Sequence, residues 1–120
     1  PLGQGMLTSR YLDGIPSGSR AAEGSTLASE YLSDKNLDRV RGLDAIARKR
    51  GQTLAQIAIA WTLRDPRVTT ALVGASRWSQ IEDSLGALDN LQFTEAELAA
   101  IDEHAVDGGI NLWAESSQER

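Results

Sequence analysis

Cysteine is absent from the 120 residues, and histidine occurs once. Without cysteine the chain has no disulfide, no thiolate nucleophile and no zinc site built on sulfur ligands. One histidine is also too few for a metal site made of several imidazoles. We therefore expect no structural metal, and we expect binding or catalysis to depend on other side chains.

The sequence is also short of apolar runs and of positive charge. It has no run of about 18 apolar residues and no basic-then-apolar start. We therefore expect neither a membrane span nor a signal peptide, and we expect the protein to be cytoplasmic. The formal net charge is −5 at pH 7. Because binding to DNA or RNA needs clustered Lys and Arg, we expect no nucleic-acid partner.

The basic residues that are present are mostly arginine. Only Lys35 and Lys49 are lysines. Arginine binds phosphate through two parallel hydrogen bonds, so arginines beside turns rich in glycine and serine are candidate phosphate ligands. Arg10, Arg20 and Arg77 have this setting.

A helix is predicted from Ser33, which can cap its N-terminus, to about Arg50, before Gly51. Apolar residues recur on one face of this segment with the spacing of an amphipathic helix. They are Leu37, Val40, Leu43, Ile46 and Ala47. We expect this face to pack against the core.

Capping boxes predict two further helices. Thr53 with Gln56 begins one that ends before Pro66, and Thr94 with Glu97 begins the last one. The first of the two has an apolar stripe made of Leu54, Ile57, Ala58 and Trp61. Trp61 is therefore expected to be a packing residue.

Residues 68–73 (VTTALV) are β-branched and apolar on both faces. This composition predicts a fully buried strand of a parallel sheet covered by helices. A turn of small residues follows, and then a predicted helix from about Trp78 to Leu88. The inner face of that helix is expected to contain Ile81, Leu85 and Leu88.

The turn at residues 74–77 is a candidate phosphate site, because a turn between a strand and a helix presents free N–H groups at the positive end of the helix dipole. Ser76 can donate a hydroxyl, and Arg77 a guanidinium. Residues one to two turns further along could reach an attached base: Gln80, Asp83 and Ser84. The alternative is that Ser76 only caps the helix and Arg77 is solvated, since strand-turn-helix units are common.

The opening segment is a second candidate. Gly3 and Gly5 allow close approach of the backbone, and Thr8 and Arg10 offer donors. Neither a Walker A pattern nor a G-x-G-x-x-G fingerprint is present, which argues against a P-loop or Rossmann site. Two loops with donors for phosphate, one at each end of a helical segment, indicate a phosphate-binding site more strongly than either loop does alone.

Residues 1–11 resemble the segment after strand seven of aldo-keto reductases, Ser-Pro-Leu-x-x-Gly-x-Leu-Thr-Gly-Lys-Tyr, with Ser9 and Arg10 in place of Gly and Lys. Residues 14–20 and the ending at 107–113 resemble the branch with potassium-channel beta subunits and bacterial L-glyceraldehyde 3-phosphate reductases. Residues 74–84 are similar to the strand-eight signature Gly-Ala-Ser-x-x-x-Gln-x-x-Glu-Asn. The final Glu-Asn pair is replaced by Asp-Ser.

The resemblance implies NADPH as cofactor, because the strand-eight signature contacts its 2′-phosphate and adenine. The implied cofactor-binding residues are Pro1, Leu2, Gly3, Gln4, Gly5, Thr8, Arg10, Arg20, Gly74, Ala75, Ser76, Arg77, Gln80, Asp83 and Ser84. The family's four catalytic residues lie upstream of this part. Tyr11 and Tyr31 do not match the catalytic tyrosine motif, and His104 is expected to pack or lie on the surface, so we assign no catalytic residue.

The implied fold is α/β: the C-terminal part of a parallel eight-stranded β/α (TIM) barrel, with one strand and mostly helices in this chain. One domain is expected, divided into a cofactor loop (1–32), helices (33–65), the last strand and helix (66–88), and a C-terminal helix and tail (89–120). Since a closed barrel takes about 250 residues, we expect a fragment of a longer protein; association of several copies, as a homo-oligomer, is the alternative.

The implied function is an NADPH-dependent oxidoreductase that reduces small aldehydes or ketones, with this chain supplying cofactor binding and inactive alone. Two alternatives stay open. One is a potassium-channel beta-like regulatory subunit that binds NADPH with little catalysis. The other is an inactive partial barrel.

Overall fold

The computed structural model describes residues 1–12 and 33–106, and these contain four α-helices. The helices are α1 (Asp34–Lys49), α2 (Leu54–Leu63), α3 (Trp78–Leu85) and α4 (Glu95–His104). Short 3-10 turns occupy Gly3–Gly5, Ser9–Tyr11 and Gly86–Asp89. The rest of the predicted loop, with Arg20, and the tail from residue 107 lie outside the described residues. None of the helices in the described part is long and apolar enough to cross a membrane.

The predicted helix starts are confirmed. The Ser33 hydroxyl accepts a hydrogen bond from the Asn36 N–H at 3.3 Å, and Gly51 follows α1 with a φ of 72°. At α2 the Thr53 hydroxyl accepts from the Gln56 N–H at 3.2 Å, and the Gln56 side chain accepts from the Thr53 N–H at 3.0 Å. The same reciprocal pair begins α4. These contacts satisfy N–H groups that a helix start leaves free.

The core forms where α1, α2 and α4 meet. Its buried members are Val40 and Ala47 from α1, Leu54 and Ile57 from α2, and Ile101 from α4. Leu43 and Ile46 pack against this cluster, so the apolar face predicted for α1 is confirmed. Leu7 and Leu12 also pack on it, and they join the N-terminal segment to the helices by burial of apolar surface.

Helix α2 is buried on more than one side. Ala55, Ile59 and Ala60 are buried in addition to the predicted Leu54 and Ile57. A helix enclosed by neighbours has no single apolar stripe, and α2 contacts α1, α3 and the turn after α3. The prediction for Trp61 was wrong: its ring is exposed and lies under the Arg64 guanidinium, 3.8 Å from the ring centroid.

The predicted strand is not formed within the described residues. Residues 68–73 have no regular secondary structure, and the expectation that they are buried was wrong, since Leu72 is 89% exposed. A strand requires a neighbour to accept and donate its ladder hydrogen bonds, and no other described segment pairs with this one. The α/β barrel therefore stays a prediction.

Helix α3 also differs from its prediction, in its end and in the exposure of its apolar face. It ends at Leu85 and continues as the 3-10 turn at 86–89. Its expected inner face, made of Ile81, Leu85 and Leu88, is exposed, and so is Trp78. No sheet in the described part of the chain covers these side chains.

A buried arginine joins the helices to the connection before α4. The Arg50 side chain is 4% exposed and pairs with Glu97. Its guanidinium also donates to the Gln92 carbonyl at 2.8 Å and the Asn90 carbonyl at 3.2 Å, and it lies 3.9 Å from the centroid of the Phe93 ring. The Arg50 hydrogen bond, followed by that from the Thr94 N–H, lowers the pKa of Glu97.

Replacing Glu97 with glutamine (Glu97→Gln) should lower the free energy of unfolding near neutral pH, by about 1 to 3 kcal/mol for a hydrogen bond between charged groups. Because the pKa of Glu97 is lowered in the fold, its ionised form stabilises the protein above the ordinary pKa of 4.5. That stability is lost as the pH falls below this value. The difference between wild type and variant in urea unfolding should therefore shrink between about pH 5 and about pH 3.

Asp38→Asn is the control for this experiment, because Asp38 pairs with Arg41 on the exposed surface. Exposed pairs contribute little, so the control should change the free energy of unfolding by less than about 0.5 kcal/mol at either pH. A loss in Glu97→Gln that is the same at both pH values would contradict the role given to the ionised carboxylate.

The single histidine packs between helices. A Cβ atom at Gly42 of α1 would overlap the ring of His104, so the absence of a side chain there lets α4 approach α1. This agrees with the packing role expected for His104. Glycine inside a helix is otherwise unfavourable relative to alanine.

Gly42→Ala tests this packing in two backgrounds. With His104 present, overlap should outweigh the better helix propensity and destabilise the protein by about 1 to 2 kcal/mol. In the His104→Ala background the same change should stabilise it by about 1 kcal/mol, as expected in a helix interior. Thermal unfolding of the four proteins measures the coupling. Stabilisation by Gly42→Ala in both backgrounds would show that the contact is absent.

Candidate functional site

A cleft of about 330 Å³ lies between the N-terminal segment, α2 and α3. It is lined by Leu2, Gly5, Thr8, Ser9 and Arg10 of the N-terminal segment, by Ala55 of α2, and by Arg77, Ser79, Gln80, Asp83 and Ser84 of the α3 region. The two segments predicted to bind phosphate, 1–11 and 74–84, therefore face each other across one cleft.

The N-terminal wall is a tight loop. Gly3 and Gly5 have φ values of 56° and 97°, a region that side chains disfavour, so glycine is required at both turns. The Thr8 hydroxyl donates to the Gly5 carbonyl at 2.6 Å and accepts from the Arg10 N–H at 3.2 Å. Thr8 lines the cleft as predicted, but its hydroxyl hydrogen is used inside the loop.

Arg41 of α1 fixes the end of this loop. Its Nη2 and Nε donate to the Leu12 carbonyl at 2.9 and 3.2 Å. Since Leu7 and Leu12 also pack on the core, the loop is held from both its backbone and its side chains. Arg41 is one of the polar residues of an amphipathic helix, and no nearby residue in the sequence indicates its contact with Leu12.

The opposite wall is the start of α3. Arg77 is its N-cap residue and makes no capping hydrogen bond, whereas side chains of Ser33, Thr53 and Thr94 cap the other three helices of the described part. The N–H groups of Trp78 and Ser79 therefore have no capping side chain, and they lie at the positive end of the helix dipole, whereas the Gln80 N–H donates to the Arg77 carbonyl at 3.2 Å. Together with Arg77 they favour an anion.

The structure decides one of the two roles considered for Ser76. It is not the N-cap of α3. Its N–H donates to Oε1 of Gln80 at 2.8 Å, and its hydroxyl lies 3.3 Å from the same oxygen. The Gln80 amide oxygen is thereby occupied, while Gln80 itself lines the cleft.

Asp83 is bound to the start of α2. The Thr53 hydroxyl lies 3.0 and 3.2 Å from its two carboxylate oxygens. Nε2 of Gln56 donates to the Asp83 carbonyl at 2.8 Å and to Oδ1 at 3.2 Å. A carboxylate at a helix N-terminus is favourable because it meets the positive end of the dipole.

Several predicted residues do not line the cleft: Gly3, Gly74, Ala75 and Ser76. Pro1 lines a separate apolar cavity beside α1, α2 and α4. Arg20 and the side chain of Gln4 lie outside the described residues. Ser9, Ala55 and Ser79 line the cleft without having been predicted. The two serines neighbour predicted residues in the sequence, but Ala55 becomes part of the wall only through the packing of α2.

The charges of the cleft suit anion binding more than acid-base catalysis. Arg10 and Arg77 supply two cations, and Asp83, the acidic residue of the lining, is already hydrogen-bonded. Tyr11 is 1% exposed and does not line the cleft. The arrangement can therefore bind phosphate groups through arginine and backbone N–H donors.

Comparison with known proteins identifies the family of this chain. The model of the aldo/keto reductase family matches residues 1–106. The chain is 50% identical over 121 residues to an L-glyceraldehyde 3-phosphate reductase of Escherichia coli O157:H7, and the match covers 98% of this chain and 35% of that protein. It is 41% identical over 108 residues to a putative voltage-gated potassium channel subunit beta of Schizosaccharomyces pombe, covering 86% of this chain and 31% of that protein. The chain thus spans about a third of the length of these curated relatives.

Proposed function

Because the chain belongs to the aldo/keto reductase family, we propose that it forms the cofactor-binding part of an oxidoreductase that reduces aldehydes or ketones with NADPH. The observation that supports this most is the cleft in which Arg10 and Arg77 face each other beside the uncapped start of α3. A dinucleotide with three phosphates needs such donors at more than one point.

Each wall of the cleft is proposed to bind a different part of NADPH. Arg10 and the N-terminal loop bind the pyrophosphate, because the positive φ angle of Gly5 lets its backbone line the cleft. Arg77 and the N–H groups of α3 bind the 2′-phosphate. Bound NADPH supplies the hydride, and the residues of this chain bind and orient it.

The proton that completes carbonyl reduction is proposed to come from a group outside the described residues. Tyr11 is buried, and its hydroxyl has no hydrogen-bond partner within the described part, so it has no path to a substrate in the cleft. His104 packs against Gly42 away from the lining. The substrate is proposed to be a small carbonyl compound, in line with the reductase named among the relatives.

A regulatory role is the second candidate, favoured by the similarity to potassium channel beta subunits. Both candidates bind NADPH in the same cleft, so binding does not distinguish them. They differ in whether the bound NADPH is turned over. Oxidation of NADPH by the whole protein of which this chain is proposed to form the cofactor-binding part, followed by absorbance with a panel of short aldehydes including glyceraldehyde 3-phosphate, distinguishes them. Steady turnover supports the reductase, and tight binding without turnover supports the regulatory subunit.

Arg77→Ala tests the cofactor assignment. It should weaken NADPH binding about 30-fold and NADH binding less than about threefold, because a charged hydrogen bond to the 2′-phosphate exists only for NADPH. Calorimetric titration of the protein with each cofactor measures both constants. Arg48→Ala is the control, since Arg48 lies on the exposed surface of α1 and pairs with Asp44.

Equal losses for NADPH and NADH in Arg77→Ala would show that Arg77 does not contact the 2′-phosphate. Failure of the wild-type protein to bind either cofactor would overturn the proposed function itself. A loss in Arg48→Ala as large as that in Arg77→Ala would assign the effect to general charge.

A further inference from the structure

Asp83 lies where the family's signature has a glutamate. Its carboxylate lines the cleft, yet both of its oxygens lie within hydrogen-bond distance of the Thr53 hydroxyl, at 3.0 and 3.2 Å. Gln56 adds bonds to Oδ1 and to the backbone carbonyl of Asp83. Thr53 and Gln56 are absent from the lining, so they bind Asp83 from the α2 side of the cleft wall.

The geometry around Gln56 makes this link specific. Gln56 and Thr53 form the capping box of α2, so Oε1 of Gln56 is fixed on the Thr53 N–H and its Nε2 is directed to Asp83. A Cβ atom at Gly86 would overlap Nε2 of Gln56. The end of α3 therefore closes over the Gln56 side chain, and α2 and α3 are joined at one point by paired polar groups.

Arg77 is the N-cap residue of α3, and Asp83 lies in the same helix. The hydrogen bonds that hold Asp83 against α2 therefore also restrain the position of Arg77 in the cleft.

We propose that Asp83 is a positioning residue, which sets α3, and with it Arg77, through the capping box of α2. This inference rests on the proposed function. Affinity for the nucleotide then depends on the link between α2 and α3, not on contact of Asp83 with the base.

The first test compares two matched threonine variants. Thr53→Val and Thr94→Val each remove an N-cap hydroxyl from a capping box, but Thr53 alone of the two contacts Asp83. Thr53→Val should weaken NADPH binding about tenfold, because small displacements of binding groups are costly, and Thr94→Val less than about twofold. Thr53→Ser retains the hydroxyl and should restore affinity to within about twofold of wild type.

The second test uses the NADPH analogue in which hypoxanthine replaces adenine. Asp83→Ala should weaken binding of NADPH and of the analogue by the same factor, about tenfold, because it acts through the position of Arg77 and not through the base. The double variant Thr53→Val with Asp83→Ala should be no weaker than either single variant, because the two changes break one link.

Three outcomes would overturn the inference while leaving the proposed function intact. The first is equal NADPH affinity in Thr53→Val and Thr94→Val. The second is a wild-type preference for NADPH over the hypoxanthine analogue that Asp83→Ala abolishes, which would make Asp83 a base contact. The third is strictly additive losses in the double variant. Absence of NADPH binding by the wild-type protein would instead remove the proposed function.

Discussion

The buried guanidinium of Arg50 connects parts of the chain that lie far apart in the sequence. It binds carbonyl groups of the segment at 90–93 and the carboxylate of Glu97, more than forty positions away. A buried charge is stable only when it is paired, so these contacts and the position of α4 require each other. Ile101 of α4 then completes the core formed by α1 and α2. Leu54, the first residue of α2, is part of this core, and the start of α2 in turn fixes Asp83 of α3.

Features that depend on nearby residues were predicted correctly. The capping boxes at Thr53 and Thr94 need partners only three positions away, and Gly51 needs only its own positive φ, so the sequence contains the whole signal. The burial of 68–73 depends on strands that are not among the described residues, and that prediction failed. Trp61 failed for a related reason, because the side on which α2 is covered is decided by its neighbours.

In the candidate site, too, some features follow from residue types and others depend on contacts between distant residues. Residue types identified two loops with donors for phosphate, and the structure brings both to one cleft. Residue types do not reveal which donors and acceptors are already used. Thr8 donates to Gly5, and Asp83 accepts from Thr53 across thirty positions, so part of the hydrogen-bonding capacity of each side chain is already used. Arg41 could not be predicted as an anchor, since its acceptor at Leu12 lies 29 positions away.

Helix α3 shows why one polar link matters so much to the cleft. The turn before α3 and its first residues are exposed, including Arg77 and Trp78, whereas Asp83, Ser84 and Ala87 are at least partly buried. Within the described residues α3 is thus held by its C-terminal half, while its N-terminal half bears the arginine proposed to bind phosphate. The barrel that family membership implies would cover the apolar face of α3 with a sheet. The hydrogen bonds from Thr53 and Gln56 to Asp83 add a restraint on the orientation of α3, because hydrogen bonds are directional and apolar contacts are not.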